Sequence, residues 1–434
     1  MTHLIFRCLV KSVCWRRSQL LLLQKNNVND VLIFYQDKYY CQSSLNEFAE
    51  LTLSLGGGVK MTDDINEYEE LILRLIRENP FISQQELSEI VGVSKPSIAN
   101  IISGLIKKEY VLGKAYVFNE TAPIICVGGA NLDRKFYAKY ELTSETSNPV
   151  KSSRTVGGVA RNIAENLGRM GEEVILISVC GKDSEWKEIY DLSSPFMNLE
   201  HVAQFENAST GSYTAVLDKN GDLSLAFADM DVYENITPEL LIKDSNILKR
   251  AKCIVADLNC PRETIDFLCS FVSKHDIPLV LIPVSSPKMN RLPLTLNAVS
   301  WLIVNKDETE AFLNVKINDE KDWKNSITKW LALGVKNVIV TNGAKGVMTG
   351  AENGEIHYFP AIETPMVVDV TGAGDSFCSG VIYSWLQEKE FDYIIKSGLV
   401  NAHKTIMSKY TVRQELSQKQ FSLDMEEFSN GKLY

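Results

Sequence analysis

From Glu67 onward the apolar positions follow a helical period. Leu71, Ile72, Leu75 and Ile76 share one face until Asn79-Pro80 ends the run. Ser83, with Glu86 three residues on, marks a capping box that opens a short second helix, QQELSEIV. Gly92 turns the chain and Ser94 caps a third helix, KPSIANIISGLIKKEY, with Pro96 where a missing N–H costs nothing. Beyond residue 121 the pattern changes. Continuous β-branched runs (IICV, EVILISVCG, CIVADLN, PLVLIPVS, WLIVNKDE, NVIVTNGAKG) alternate with helical stretches. Buried runs of that kind predict an α/β domain with a mostly parallel open sheet and helices on both faces. Two segments break the alternation: residues 134–156 and 209–228 (STGSYTAVLDKNGDLSLAFA) read as strands and suit a small β lid over the strand ends.

The boundaries follow from these shifts: residues 1–60, a helical unit at 61–120, and the α/β domain at 121–430. The first sixty residues share neither period. MTHLIFRCLVKSVCWRRSQLLLLQ superficially resembles a secretory leader, but its apolar run is short and no small-residue cleavage site follows. Adjacent glycines just before Met61 can be encoded by a purine-rich ribosome-binding signal, so Met61 is expected to be the true start and residues 1–60 a translated leader; the alternative is a poorly ordered native extension.

Composition narrows the picture little. Nine cysteines without a C-x-x-C pair read as reduced thiols in a cytoplasmic protein. The net charge of −10 gives no general attraction to nucleic acid or anionic membrane. No apolar run approaches the roughly 18 residues of a membrane span.

Two short helices joined through a glycine turn, the second starting on polar residues, make the helix-turn-helix pattern. The region resembles the winged helix-turn-helix of bacterial regulators, with GKAYVF (Gly113 to Phe118) as the wing. Lys95, Ser97 and Asn100 would face the major groove of operator DNA, and Lys107, Lys108 and Lys114 would lie near phosphates. Glutamates are as common here as lysines, so a docking or dimerisation module is the competing reading.

The chemistry centres on VDVTGAGDSF, Val368 to Phe377, where a β-branched strand runs into Gly-Ala-Gly and then a helical pattern. Free amides of such a turn, at the positive end of a helix, form an anion site. Asp375 in the first helical turn either caps the helix or serves as a base beside that site. Upstream, GG-x-x-x-D carries Asn131 and Asp133 past Gly128-Gly129, where ligands of open α/β sheets gather. Gly157-Gly158 then precede a helix bearing Asn162 and Asn166, a pair suited either to a polyhydroxylated ligand or to capping.

These segments, with Asn-x-x-Glu at Asn305 and Glu308 and Thr-x-Gly-x-x-Gly at Thr341, Gly343 and Gly346, resemble the ribokinase (PfkB) family of carbohydrate kinases, in family order. The resemblance covers residues 121–430. It implies Asp375 as general base, with Gly372, Ala373 and Gly374 as the anion hole. Asp133 and Asn162 would hold ribose hydroxyls, with Gly157 and Gly158 beside them. Asn305 and Glu308 would organise Mg²⁺ through water. The 341–346 turn and Asn401 would line the ATP pocket. Asp369 and Thr371 match positions that border a monovalent-cation site in some members, implying stimulation by K⁺. The structural alternative for Asn305 and Glu308 is a capped helix start.

Within the family, GGVARNIAENL, STGSYTAVLDKNGDL, ADMDVYENIT and VADLN most resemble the bacterial pseudouridine kinases, some of whose relatives carry a fused helix-turn-helix. Asn131, Ser212 and Asp229 are the candidate base-reading residues. KDSEWKEIY, after Gly181, lacks the glycine of the family's G-x-D-x-x-G, which bears on the substrate rather than the chemistry. The expectation is ATP-dependent phosphorylation of a nucleoside 5′-hydroxyl, pseudouridine first, by a homodimer joined through its lid strands. The rivals are a ribose or purine-nucleoside kinase and a nucleoside-sensing regulator without turnover.

Overall fold

The structure, a computed structural model, describes residues 65–113, 122–364 and 366–431. It divides into two compact units between Phe118 and Asn119. Residues 1–60, Lys114 and all of the expected wing but Gly113 lie outside the described residues.

Among its described residues the first unit has three helices: α1 (Glu67–Glu78), α2 (Gln84–Val91) and α3 (Lys95–Lys107). Each start is capped by the side chain at its N-cap, with reciprocal boxes Asn66/Glu69 and Ser83/Glu86, and Ser94 accepting from the Ser97 amide. Such a cap contributes about 1 kcal/mol by satisfying amides the helix leaves open. Gly92 stops α2 at φ +73°, a conformation glycine takes without a Cβ clash. Ile72, Leu73, Leu87, Ile98, Ile102 and Leu105 close a small core of their own.

The second unit carries a nine-stranded sheet and a four-stranded one. In chain order its elements are β1 (Ile124–Val127), β2 (Asn131–Ala138), β3 (Val150–Gly157), α4 (Val159–Arg169), β4 (Val174–Gly181), α5 (Ser184–Ser193), β5 (Val202–Phe205), β6 (Ser212–Leu217) and β7 (Leu223–Asp229). Then follow α6 (Pro238–Lys243), α7 (Ser245–Leu248), β8 (Cys253–Asp257), α8 (Arg262–His275), β9 (Leu279–Ile282), β10 (Trp301–Asn305), α9 (Lys306–Leu313), α10 (Glu320–Ala332) and β11 (Asn337–Thr341). The last are β12 (Val347–Ala351), β13 (Ile356–Phe359), α11 (Ala373–Leu386), α12 (Phe391–Ile406) and α13 (Gln418–Ser429).

The large sheet runs β13-β12-β11-β10-β9-β8-β1-β4-β5, parallel from β11 to β5 and antiparallel at β12 and β13. Its central strands β1, β4, β8 and β9 are buried on both faces, and successive residues serve different cores. Ile124 and Cys126 pack toward α4, α11, α12 and α13, whereas Ile125 and Val127 pack toward α6, α7, α8 and α10. This is why the strands read as unbroken apolar runs rather than alternating ones. The lid is the second sheet, ordered β3-β2-β6-β7, with β2 and β6 parallel and both hairpins antiparallel.

Candidate active site

Asp375 sits in the first turn of α11, whose N-cap is Gly372 at φ +83°. A Cβ at Gly372 would strike the Thr411 carbonyl, so only glycine lets the turn pass this close. Ala373 closes the turn by donating to the Val370 carbonyl at 3.2 Å, and Ser376 donates to the Gly372 carbonyl at 2.9 Å. Ala373 is therefore a correction to the expected anion hole. The amides that the turn leaves open are those of Gly372, Gly374 and Asp375 itself, and the space beside Gly374 is clear.

The half-buried Asp375 carboxylate accepts from Asn162 Nδ2 at 2.6 Å. Burial pushes it up to about 7, against the Asn162 hydrogen bond and Arg161 and with the repulsion of Asp257 and Asp133. A carboxylate that takes a proton near neutrality, beside open amides at a helix start, has the parts of a general base facing an anion hole. Asn162 is buried, and its carbonyl oxygen is held by Arg161, so both ends of its amide are used. That arrangement aims the base, where the resemblance implied a hydroxyl contact.

Arg161 escaped the sequence reading. It is 2% exposed and donates to Glu165 at 2.7 Å, one turn along α4. Burial lowers its pKa, while Glu165, Asp375 and Asp133 pull it back up. The signal was a Glu-Arg spacing of four inside GGVARNIAENL, which usually marks a surface pair.

Asp133, on β2, accepts from Asn131 Nδ2 at 2.6 Å, and burial pushes it up to about 6 against Arg161, Asn131 and Lys135. A Cβ at Gly157 would overlap the Asp133 carboxylate, and one at Gly158 (φ +98°) would overlap Gly129 and Ala130. The two glycines thus let α4 start against the first Gly-Gly turn. Asp257, also unassigned from sequence, pins that junction by accepting from the amides of Gly129 (3.0 Å), Ala160 (2.9 Å) and Asn259 (2.8 Å). At the base of the lid Ser212 pairs across strands with Asp229 and in register with Leu132, next to Asn131. The KDSEWKEIY segment is α5, capped by Asp183, with Glu185 paired to Arg134 of β2.

Asp369 and Thr371 are already occupied. Lys135 Nζ donates to Asp369 Oδ2 at 2.9 Å and to Thr371 Oγ1 at 3.2 Å. The side chains expected to border K⁺ instead hold a lysine ammonium, so as placed they do not fit a second cation.

On the nucleotide side, Asn305 and Glu308 form a reciprocal capping box at the start of α9, with both bonds 2.8 Å. Glu308 is buried, which pushes it up to about 7 despite the Asn305 amide. Thr341 ends β11, and the chain reverses through Gly343 (φ +51°) and Gly346 (φ +86°) into β12. Asn401 is corrected. It has no exposed surface, and its amide bonds Asn166 (3.2 Å), the Ser376 carbonyl (2.8 Å) and Arg413 (3.2 Å). It braces α11 from behind rather than facing a nucleotide.

In the first unit Lys95 and Asn100 are exposed at the start of α3 and Ser97 is half-buried. Ser97 also shares its hydroxyl with the cap Ser94 at 2.8 Å. Lys107 is exposed, but Lys108 is paired with Glu69 at 3.0 Å, which removes it from the expected phosphate contacts.

Comparison with known proteins agrees with this architecture. Residues 122–416 match the pfkB family carbohydrate kinases, and residues 65–111 match a winged helix-turn-helix DNA-binding family. The Escherichia coli (strain K12) protein named "Uncharacterized sugar kinase YeiI" is 27% identical over 328 residues, covering 75% of this chain and 90% of that protein. Pseudouridine kinase from the same strain is 28% identical over 297 residues, covering 68% of this chain and 93% of its own. The structure of Arabidopsis thaliana ribokinase with ribose and ATP superposes with a TM-score of 0.63, covering 70% of this chain and 99% of that one; at 20% identity this likeness concerns the fold. With its open turn, half-buried carboxylate and β lid in place, the chain belongs to the pfkB family of carbohydrate kinases, phosphotransferases acting on a hydroxyl, and carries a winged helix-turn-helix unit before the kinase domain.

Proposed function

We propose that the kinase domain transfers the γ-phosphoryl group of ATP to the 5′-hydroxyl of a ribosyl nucleoside, with pseudouridine as the substrate. The observation that carries this reading is Asp375, aimed by Asn162 beside the open amides of Gly372 and Gly374. Asp375 takes the proton of the attacking hydroxyl, and the amides offset charge on the transferring group. Asp133, oriented by Asn131, holds a ribose hydroxyl, with Ser212 and Asp229 at the base edge. The 341–346 turn cradles the nucleotide.

Mg²⁺ fits the donor set in one way. Among the described residues no group of three or more His, Cys, Asp or Glu side chains could hold a metal. Asn305 and Glu308 would reach Mg²⁺ through its waters, since Glu308 keeps one oxygen, Oε1, outside the capping box. When bound, the ion neutralises charge on the phosphates.

The lid's β7 exposes Leu223, Leu225 and Phe227 on one face, an apolar surface on which two copies would meet. A dimer suits a palindromic operator, which α3 would read through Lys95, Ser97 and Asn100.

The test is turnover with ATP and Mg²⁺ against pseudouridine, uridine, inosine, adenosine and ribose. A kcat/KM at least about tenfold higher for pseudouridine is the expected result. Preference for another member overturns the substrate and keeps the chemistry. Nucleoside binding without turnover of any member overturns the kinase reading in favour of a sensor.

A further inference from the structure

The lid and the anion turn are joined by a charge. Asn131, Asp133 and Lys135 alternate along β2, so they lie on one face of the strand. The first two are already linked to each other, and Lys135 completes the row by reaching residues 234 positions away in sequence. Its ammonium is shared between the Asp369 carboxylate and the Thr371 hydroxyl, and Asp369 Oδ1 in turn accepts from the Thr371 amide (2.9 Å) and hydroxyl (2.6 Å). Thr371 immediately precedes Gly372, the N-cap whose amide belongs to the anion hole. Burial would raise Asp369, but Thr371 and Lys135 outweigh it and hold the carboxyl below its ordinary value. Asp369 is also fixed from behind, its amide donating to the Ile406 carbonyl at 3.3 Å.

We propose that Lys135 is a tethered monovalent cation. Its ammonium supplies, from the lid strand, the positive charge that orders the turn before the anion hole, and it makes the enzyme independent of K⁺. Because the charge travels with β2, closing the lid over the nucleoside and ordering the anion turn are one event. This rests on the kinase reading above, with Lys135 as a positioning residue that acts through Asp369 and Thr371.

A pair of measurements on the full chain tests it. Melting temperature and turnover (ATP, Mg²⁺ and the best nucleoside of the panel) are compared in KCl and tetramethylammonium chloride at equal ionic strength. For the unaltered protein both should agree between the two salts, turnover within about twofold. Lys135→Met should lose roughly tenfold or more in kcat in tetramethylammonium, with KM for ATP little changed. It should recover in KCl, where its melting temperature should also rise. Lys135→Arg, which retains the charge, should stay insensitive to the salt. The proposal is overturned if the unaltered protein gains turnover or melting temperature from K⁺. It is equally overturned if Lys135→Met raises KM for ATP without becoming salt-sensitive, since Lys135 would then belong to the phosphates. Should no nucleoside be turned over, the melting comparison alone still decides the role of Lys135.

Discussion

Replacing Asp375 by Asn should separate activity from stability in opposite directions. The carboxyl is raised from 3.8 to about 7, chiefly by burial. Below about pH 4 it is protonated in both folded and unfolded chains and costs nothing. Between about pH 4 and 7 the unfolded chain ionises first, so stability falls as pH rises, and the loss is complete above the folded value. At pH 8 the penalty is at most about 4 kcal/mol, of which an Asn substitution should recover about 2 kcal/mol, because Asn162 still finds an acceptor. The assay is urea denaturation of both proteins from pH 4 to 8. The stability advantage of Asp375→Asn should be near zero at pH 4, grow through pH 6 and level off above 7. Turnover should move the other way, falling by about 10²–10⁴-fold while nucleoside binding is retained. In the unaltered enzyme kcat/KM should rise about tenfold per pH unit below 7 and then flatten. A stability difference that does not vary with pH, or turnover that survives the substitution, would refute the assignment of Asp375 as a half-buried base.

Three further outcomes are expected. Gly157→Ala places a Cβ on the Asp133 carboxylate, so KM for the nucleoside should rise by about tenfold, measured by steady-state kinetics with ATP saturating. Arg161→Met removes one of the two arginines paired with buried Glu165, leaving Arg169 at 2.7 Å, and should destabilise the domain by about 1–3 kcal/mol in denaturant titrations. In the same variant the rise of kcat/KM should move to higher pH, because the guanidinium that favours ionised Asp375 is gone. Asn401→Ala should lower the melting temperature, a loss of about 1–3 kcal/mol, and leave KM for ATP within about twofold. A large rise in that KM with stability intact would return Asn401 to the nucleotide pocket.

The sequence spoke clearly where the cause was local. The capping box at Ser83/Glu86 is decided within four residues, the one at Asn305/Glu308 was only the alternative to a Mg²⁺ role, and the apolar runs of β1, β4 and β8 to β11 announce a covered sheet. The Gly372–Asp375 turn was readable for the same reason, since its shape depends on neighbouring glycines. What escaped was set by partners far along the chain. Lys135 looks like one of two basic residues on a solvated strand until Asp369 is brought beside it. Arg161 looks like a surface ion pair until α11 covers α4. Asn401 carries no local mark that its three partners lie in α4, α11 and the segment before α13. The antiparallel edge of β12 and β13 was blurred by its glycines and short length, which weaken any strand period.

The brace behind α11 has a consequence for synthesis on the ribosome. Asn401 ties Asn166 and Ser376 to Arg413, and Arg413 is itself paired, 1% exposed, with Asp424 of α13 at 2.5 Å. The helix that presents Asp375 therefore gains its last support from residues made some fifty positions later. The core of the three-helix unit draws, among the described residues, on positions up to Val111, so it can fold while most of the kinase domain has yet to be made. A nascent chain halted between Asp375 and Asp424 would thus carry a folded three-helix unit and an unfinished kinase domain. The brace on the helix that bears Asp375 is thus among the last parts of the kinase domain to be made, complete only once Arg413 and Asp424 have both emerged.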